Sequence, residues 1–425
     1  MLLLALETSC DETSAAVIRD GTALANVVSS QIKLHAEYGG VVPELATREH
    51  LRNFLPVTRG ALQAAGVTAT DLEAIAATQG PGLPNALLIG FQAAEAMAFA
   101  LRRPFVGIHH HEAHLYSPWV TTDVPAHRAR SLPRPARNEW GEGRGEGQSR
   151  NAEGRGMKAE DSAANASSAL PHSEFCIRPS AFESTSSPQP SPPFQMEERG
   201  FAAGVLRAAF DQFEPNVSLI VSGGHTMLVH VRAELDHVVL GSTLDDAAGE
   251  CFDKVGKLIG LPYPGGPEMD RLATEGNPRA YNFPRPLLRE ANDDFSFAGL
   301  KTSVRYFLQK NPALLDDGKA IRDLCASVQA AIVETLVTKT LRAAKRLGVR
   351  CVTASGGVTC NSSLRRELAA ACAQNRLTLR LAERTLCTDN AAMVGILAER
   401  KLLKGVATTE FDAEIQPGWS LETRP

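Results

Sequence analysis

The sequence predicts an α/β fold built twice over: two lobes, each presenting one glycine-rich or polar turn to a nucleotide held between them. Three observations predict it. The stretch Asn216 to Val231, NVSLIVSGGHTMLVHV, alternates Val217, Leu219 and Val221, breaks at Gly223-Gly224, and resumes as Met227, Val229 and Val231, which reads as strand, tight turn and returning strand. The N-terminus repeats that pattern about two hundred residues earlier, with apolar Leu2 to Leu6, polar Glu7 to Thr13 and apolar Ser14 to Ile18, as a duplicated architecture would. A third turn, Ser355-Gly356-Gly357-Val358, joins a strand at Arg350 to Ala354 to a helix from Asn361 to Ala373, so another set of backbone amides faces a ligand. Glycine has no Cβ to hold an anion away, and Ser222 and Thr226 add hydroxyls beside the Gly223-Gly224 tip.

A chain of 425 residues with 44% hydrophobic content is long enough for two to three domains with a sizeable core. Its formal net charge of -4 argues against a protein that grips nucleic acid by charge alone. The eight cysteines, at 10, 176, 251, 325, 351, 360, 372 and 387, form no C-x-x-C pair, which points away from a zinc ribbon or disulfide framework and towards a reducing cytoplasm. MLLLALETSC lacks the basic region and long apolar core of a signal peptide, and no uninterrupted apolar run reads as long enough to span a bilayer. A cytoplasmic protein with no membrane association is expected.

Taken in order, Asp11 and Glu12 sit in the first polar turn, either as solvated turn carboxylates or facing the nucleotide. Pro43 to Ala65 has helical spacing and stops at Gly66. Ala74 to Thr78 is a buried strand, then Gln79-Gly80-Pro81-Gly82-Leu83-Pro84 leads into an apolar helix to Leu101, an arrangement whose loop amides would suit an anion. After the strand Phe105 to Ile108 come His109-His110-His111-Glu112-Ala113-His114. If this segment is helical, His110 and His114 share one face and can share a metal, although Glu112 does not sit as a zinc-protease glutamate would, directly after the first of two histidines four apart.

Residues 119–215 are rich in Pro, Ser, Gly, Arg and Glu, and read as a largely disordered insertion in a surface loop. Weak RNA contact by its arginines is the alternative. Beyond the second hairpin, Asp245 and Asp246 fall in the expected first turn of a helix running through Phe252, Val255 and Ile259, where carboxylates complement the dipole. Tyr263-Pro264-Gly265-Gly266-Pro267 turns into a helix carrying Asp270, Phe295 to Thr302 leads into an amphipathic helix, and Ile321 to Leu347 is a long one. Asp389, just ahead of an apolar helix from Ala391, is either its N-cap or the carboxylate that completes a site with two histidines.

ETSCDET, HHHEAHL, VSGGHT, TLDDAAGECFDKVGKLIGL, YPGGP, FSFAGLKT, SGGVTCN and CTDN occur in that order, and together they resemble the TsaD family of tRNA N6-adenosine threonylcarbamoyltransferases over essentially the whole chain outside the insertion. The resemblance implies the actin-like, Hsp70 and sugar-kinase (ASKHA) fold: a first lobe over 1–118, the insertion over 119–215, and a second lobe over 216–425 whose last helices pack back on the first. It implies transfer of threonylcarbamoyl from threonylcarbamoyl-AMP to N6 of adenosine 37 in tRNAs reading codons that begin with A. It implies His110, His114 and Asp389 as ligands of one divalent ion per subunit, Fe2+ or Zn2+. It implies Ile220, Val221, Ser222, Gly223, Gly224, Asp253, Gly266, Asp270 and Asn361 as the adenylate-binding set, and Asp11 and Glu12 as acidic residues of the active site. Bacterial members work with a TsaB-like paralogue and a TsaE-like ATPase.

Two departures from the family pattern are Pro84-Asn85 after the Gly-Pro-Gly loop and the length of the insertion. A kinase or chaperone of the same fold would have no need of His110 and His114. A metallopeptidase would need its general-base glutamate next to the first ligand, and a non-catalytic paralogue would be expected to lack the His, His and Asp set.

Overall fold

The computed structural model describes residues 1–123, 205–407 and 411–421. Twelve strands are described: β1 Leu2–Glu7, β2 Glu12–Arg19, β3 Thr22–Ser30, β4 Ala74–Gly80, β5 Phe105–His109, β6 Val120–Asp123, β7 Val205–Ala208, β8 Asn216–Val221, β9 Thr226–Ala233, β10 Asp236–Ser242, β11 Cys351–Ser355 and β12 Thr378–Leu381. The helices are α1 Ile32–Ala36, α2 Pro43–Ala65, α3 Pro84–Leu101, α4 His110–Tyr116, α5 Ala248–Leu258, α6 Gly265–Ala273, α7 Ala298–Lys310, α8 Gly318–Leu347, α9 Ser362–Gln374, α10 Arg384–Cys387 and α11 Ala391–Leu403.

The duplication is written into the sheets. The first has strand order β5-β4-β1-β2-β3-β7-β6 and the second β10-β9-β8-β11-β12. In each, an antiparallel meander (β1-β2-β3, β8-β9-β10) continues on the other side into two parallel strands (β4-β5, β11-β12). Central β1 and β8 are buried at every residue, as strands covered on both faces must be.

Helix ends follow local chemistry. Helix α2 opens with Pro43 and closes at Gly66 with φ 66°, and α8 opens under the Asp317 carboxylate, which accepts from the Lys319 amide at 2.8 Å, and closes at Gly348 with φ 67°. Helices α3 and α8 are long and apolar enough to cross a membrane by length and composition, although Asn85, Gln92 and Glu95 interrupt α3 and charged residues such as Arg322, Asp323 and Glu334 interrupt α8. Both are packed in the fold instead: α8 is largely buried, and α3 sets Ala86, Leu87, Gly90, Phe91, Ala94 and Ala98 inward.

Helix α11 returns to the first lobe. A Cβ on Gly395 would lie 2.6 Å from Ile18 Cγ1 and 2.9 Å from Ala5 Cβ, and the Ser14 hydroxyl accepts from the Ala391 amide at 2.9 Å. One core cluster accordingly contains β1, β2, β8, β9, α4 and α11 side chains together.

The ends of the expected insertion are not loop. β6 pairs with β7, and β7 with β3, while Trp119 is fully buried with its ring 4.8 Å from that of Phe213. Compositional bias hid these two four-residue strands. Residues 124–204, which carry the rest of that expectation, lie outside the described residues. Asp245 and Asp246 also sit differently from the expectation, because α5 begins only at Ala248. Asp245 caps α7 across the lobe, accepting from the Phe297 and Ala298 amides at 2.8 and 3.1 Å, and Asp246 pairs with Lys254 and Lys301 at 2.9 and 2.6 Å.

Candidate metal and nucleotide site

Helix α4 begins where β5 ends because His109 caps it, its Nδ1 accepting from the Glu112 amide at 3.3 Å. Each neighbouring histidine is thereby given a different direction. His110 Nε2 and His114 Nε2 each lie 3.3 Å from the same oxygen, Asp389 Oδ1, while the His111 ring packs against that of His225 at 4.0 Å. Glu112 turns away to Lys401 of α11 at 2.6 Å, so it is not poised as the base of a peptidase. Asp389 is not the helix cap, since Asn390 accepts from the Met393 amide at 3.1 Å; that leaves the Asp389 carboxylate to the imidazoles.

The residue that sequence reasoning missed is Glu7. Fully buried at the end of β1, it accepts from the Ser9 amide and the Thr78 hydroxyl, both at 2.5 Å, and lies 3.0 Å from His110 Nδ1. Glu7 accepts the hydrogen bond from His110 Nδ1, so Nε2 is the ring nitrogen turned towards Asp389. Burial works against charge on Asp389, yet the two imidazoles hold its carboxyl well below the usual range; burial likewise opposes charge on His110, yet Asp389 and Glu7 hold that imidazole well above its ordinary value. His114, dominated by burial, is lowered.

The three ligand atoms lie within 4.8 Å of one another. Two imidazole nitrogens and a carboxylate oxygen, with a buried carboxylate behind one ring, suit a borderline divalent cation and leave positions open to substrate. His114 Nδ1 is buried without a partner among the described residues, so its ring is held by helix packing and by Nε2 alone.

The second lobe brings most of the other expected residues into one neighbourhood. Gly223 and Gly224 are exposed, and a Cβ on either would meet nothing within 4 Å, so the tip of the β8-β9 hairpin is open to an approaching group. Beneath it the packing is tight: a Cβ on Gly249 would lie 2.5 Å from Ser222 O, and Gly356, at φ 92°, would place one 2.3 Å from Val221 O. Only glycine lets α5 and the third turn sit that close. Ile220 and Val221 are wholly buried, and their side chains serve the cores.

Asp253 Oδ1 accepts from the Gly266 amide at 3.1 Å. Burial nevertheless raises the Asp253 carboxyl above its ordinary value. Asp270 accepts from the Ser362 amide and hydroxyl at 2.9 and 2.8 Å, and Asn361 caps α9 by accepting from the Leu364 amide at 2.9 Å while donating to Gln329 Oε1 at 2.7 Å. Asp270 and Asn361 therefore also build the wall in which they stand.

Asp11 is half-buried in the turn between β1 and β2, and Glu12, buried, opens β2. Burial raises the phenol of Tyr263, ahead of α6, and the carboxylates of Asp11 and Asp253 raise it further, which keeps it protonated. The acidic turn is braced from behind by buried His50 of α2, which holds Cys10 O at 2.9 Å and the Thr13 hydroxyl at 2.8 Å.

The Gly80-Pro81-Gly82 loop does not serve an anion. The Gly82 amide donates to Pro417 O at 3.2 Å and the Leu83 amide to Ser9 O at 2.8 Å, while Pro81 has no amide hydrogen to offer. The loop is a clamp between the N-terminal turn and the C-terminal segment.

A family model described as TsaD, tRNA N6-adenosine threonylcarbamoyltransferase, matches residues 22–130 and 201–396. The chain belongs to the TsaD family. A relative of that name from Geotalea uraniireducens is 42% identical over 424 residues, covering 100% of this chain and 97% of the relative. Another, from Syntrophotalea carbinolica, is 40% identical over 423 residues, covering 99% of this chain and 97% of the relative. Among solved structures, HypF from T. kodakarensis superposes with a TM-score of 0.52 at 13% identity, covering 96% of this chain and 49% of that one. Full-length HypF in a phosphate- and nucleotide-bound form gives 0.50 at 11% identity, covering 96% and 47%. At such identities the likeness concerns the fold, and it is the ASKHA fold that TsaD members are expected to have.

Proposed function

We propose that this chain, as a tRNA N6-adenosine threonylcarbamoyltransferase, carries out transfer from threonylcarbamoyl-AMP to N6 of adenosine 37, with His110, His114 and Asp389 holding one divalent ion, Fe2+ or Zn2+. The observation that carries the reading is the convergence of both imidazoles on one Asp389 oxygen, because phosphoryl transfer by a kinase of this fold has no use for it. When bound, the ion would supply Lewis-acid polarisation of substrate oxygens.

The protein's own groups do the rest. The open Gly223-Gly224 tip receives the adenylate phosphate, and Asp253, Gly266, Asp270 and Asn361 line the nucleoside. As the N6 lone pair attacks the carbamoyl carbon, an N–C bond forms and the C–O bond to phosphate breaks, so AMP departs with the electron pair. The proton lost from N6 passes to Asp11 or Glu12. Charge developing on the phosphate is met by amides that are already in place.

tRNA is the family's substrate, and with a net charge of -4 this chain relies on partners for part of its grip. A TsaB-like paralogue and a TsaE-like ATPase in the cytoplasm are the proposed ones. The test is a transfer assay with those partners, labelled threonylcarbamoyl-AMP and unmodified tRNA. Label at adenosine 37 with wild type, lost together with bound metal in His110→Ala, is the expected result. Absence of label alongside ATP turnover indifferent to His110 would overturn the reading in favour of a kinase or chaperone.

A further inference from the structure

Two segments that the proposed chemistry does not use approach each other across the lobes. On the second lobe, Lys254 and Lys301 are neutralised by the Asp246 carboxylate at 2.9 and 2.6 Å, and Lys254 by Glu250 at 2.7 Å as well. Lys257 is different: it is exposed and has no carboxylate partner among the described residues. It stands one helical turn beyond Asp253 on the same face of α5. Its Nζ reaches towards the first lobe, where a Cβ on Gly39 would lie 3.4 Å from it.

The segment it reaches is firmly built. The Gln31 amide, just ahead of α1, donates to Asp11 O at 3.0 Å, which ties this segment to the acidic turn. Buried His35 accepts from the Val42 amide on Nδ1 at 3.3 Å and donates from Nε2 to Gln31 Oε1 at 3.2 Å, so one ring pins both ends. The Tyr38 and Gly39 amides close α1 by donating to His35 O and Ala36 O at 3.0 and 3.1 Å. On that turn Tyr38 is 56% exposed, and its ring and hydroxyl make no aromatic contact or hydrogen bond among the described residues. A single exposed tyrosine is ordinary on a protein surface. Here it stands on an ordered turn beside an unneutralised lysine of the opposite lobe.

The geometry points to Tyr38 and Lys257 as a tRNA contact on the rim of the cleft, with Tyr38 stacking on a base of the anticodon loop and Lys257 pairing with a neighbouring phosphate. The inference rests on tRNA being the substrate. For adenosine 37 to enter between the Asp11 turn and the Asp253 wall, the nucleotides beside it must lie across the rim, and the approach of Lys257 to Gly39 is where the two sides of that rim meet. A phosphate backbone complements a cation left unneutralised in a chain whose net charge is -4. Glu37, the acid of this turn, is matched in charge by Lys33 on α1. An aromatic face accepts any base and a phosphate contact carries no sequence information, so the pair holds the loop without choosing among tRNAs.

The experiment follows binding of fluorescently labelled, unmodified tRNA to the full chain with its partners, by anisotropy, from about 50 to about 200 mM salt. One phosphate contact contributes about 0.9 to the salt slope, so Lys257→Ala should lose about 3.5-fold less affinity over that range than wild type does, and Lys257→Arg should restore the slope. Stacking releases no ions. Tyr38→Ala should therefore bind about tenfold more weakly at every salt concentration, with the wild-type slope, while Tyr38→Phe binds as wild type does. In the transfer assay each alanine variant should raise KM for tRNA more than it lowers kcat. A salt slope unchanged in Lys257→Ala, wild-type binding by Tyr38→Ala, or losses that Lys257→Arg and Tyr38→Phe share would overturn the proposal. Wild type that binds no tRNA would overturn the transferase reading along with it, which keeps the two failures distinguishable.

Discussion

At the scale of single residues, Glu7 sets the orientation of His110, one of the proposed metal ligands. A carboxylate behind an imidazole fixes its tautomer and raises its basicity as a ligand. Glu7→Gln preserves shape and hydrogen-bonding reach but removes the charge, and affinity for the divalent ion should fall about 10–100-fold, as read by chelator competition and independently of turnover. Unchanged affinity would assign Glu7 to packing. His110 and His114 were legible because two imidazoles four positions apart share a helix face; Glu7 was not, because its partner is 103 positions away and a lone acid at a strand end has no periodicity. Asp389 and Asn390 are adjacent and both able to cap, so only the fold decides which of them turns to the imidazoles.

At the scale of elements, alternation and punctuation carried the sequence reading. Pro43 and Gly66 bounded α2, and the breaks at Glu7 to Thr13 and Gly223-Gly224 marked both hairpins. Short or compositionally masked strands, such as β6, β7 and β12, have too few residues to show a period. The Gly80-Pro81-Gly82 loop was misread for a different reason: its sequence matches an anion loop, but Pro417 O and Ser9 O take the amides. In the β6-β7 ladder Asp123 lies opposite Val205, so a two-residue turn suffices to join them. Replacing 124–204 with Asn-Gly should therefore raise the unfolding free energy, by up to about 3 kcal/mol of loop-closure entropy, measured by urea titration. Failure of that shortened protein to fold would assign the removed residues a structural part.

At the scale of the whole molecule, buried neutral imidazoles are spread over both lobes. His35, His50 and His237 are each lowered below 6.5, chiefly by burial. Each stays neutral when folded and takes up a proton on unfolding in mild acid, so its contribution is complete above the unfolded value and is lost as pH falls. The slope reaches about 1.4 kcal/mol per pH unit for each group. His110, raised, has the opposite sign but is outnumbered. Urea midpoints measured with chelator at successive pH values below neutrality should fall steadily; midpoints independent of pH would mean that these rings protonate without penalty in the fold.

The docking of α11 on the first lobe also bears on the order in which the protein can be made. Ala391 meets Ser14 across 377 positions of sequence, and the inner face of β1 and β2 has no cover until α11 arrives. During translation the opening hairpin emerges first and finishes last. Its apolar face waits in partial assembly while the second lobe is synthesised. A nascent chain stopped before Asp389 has neither that cover nor the third of the proposed metal ligands, so on that proposal metal capture reports that synthesis has run through Asp389.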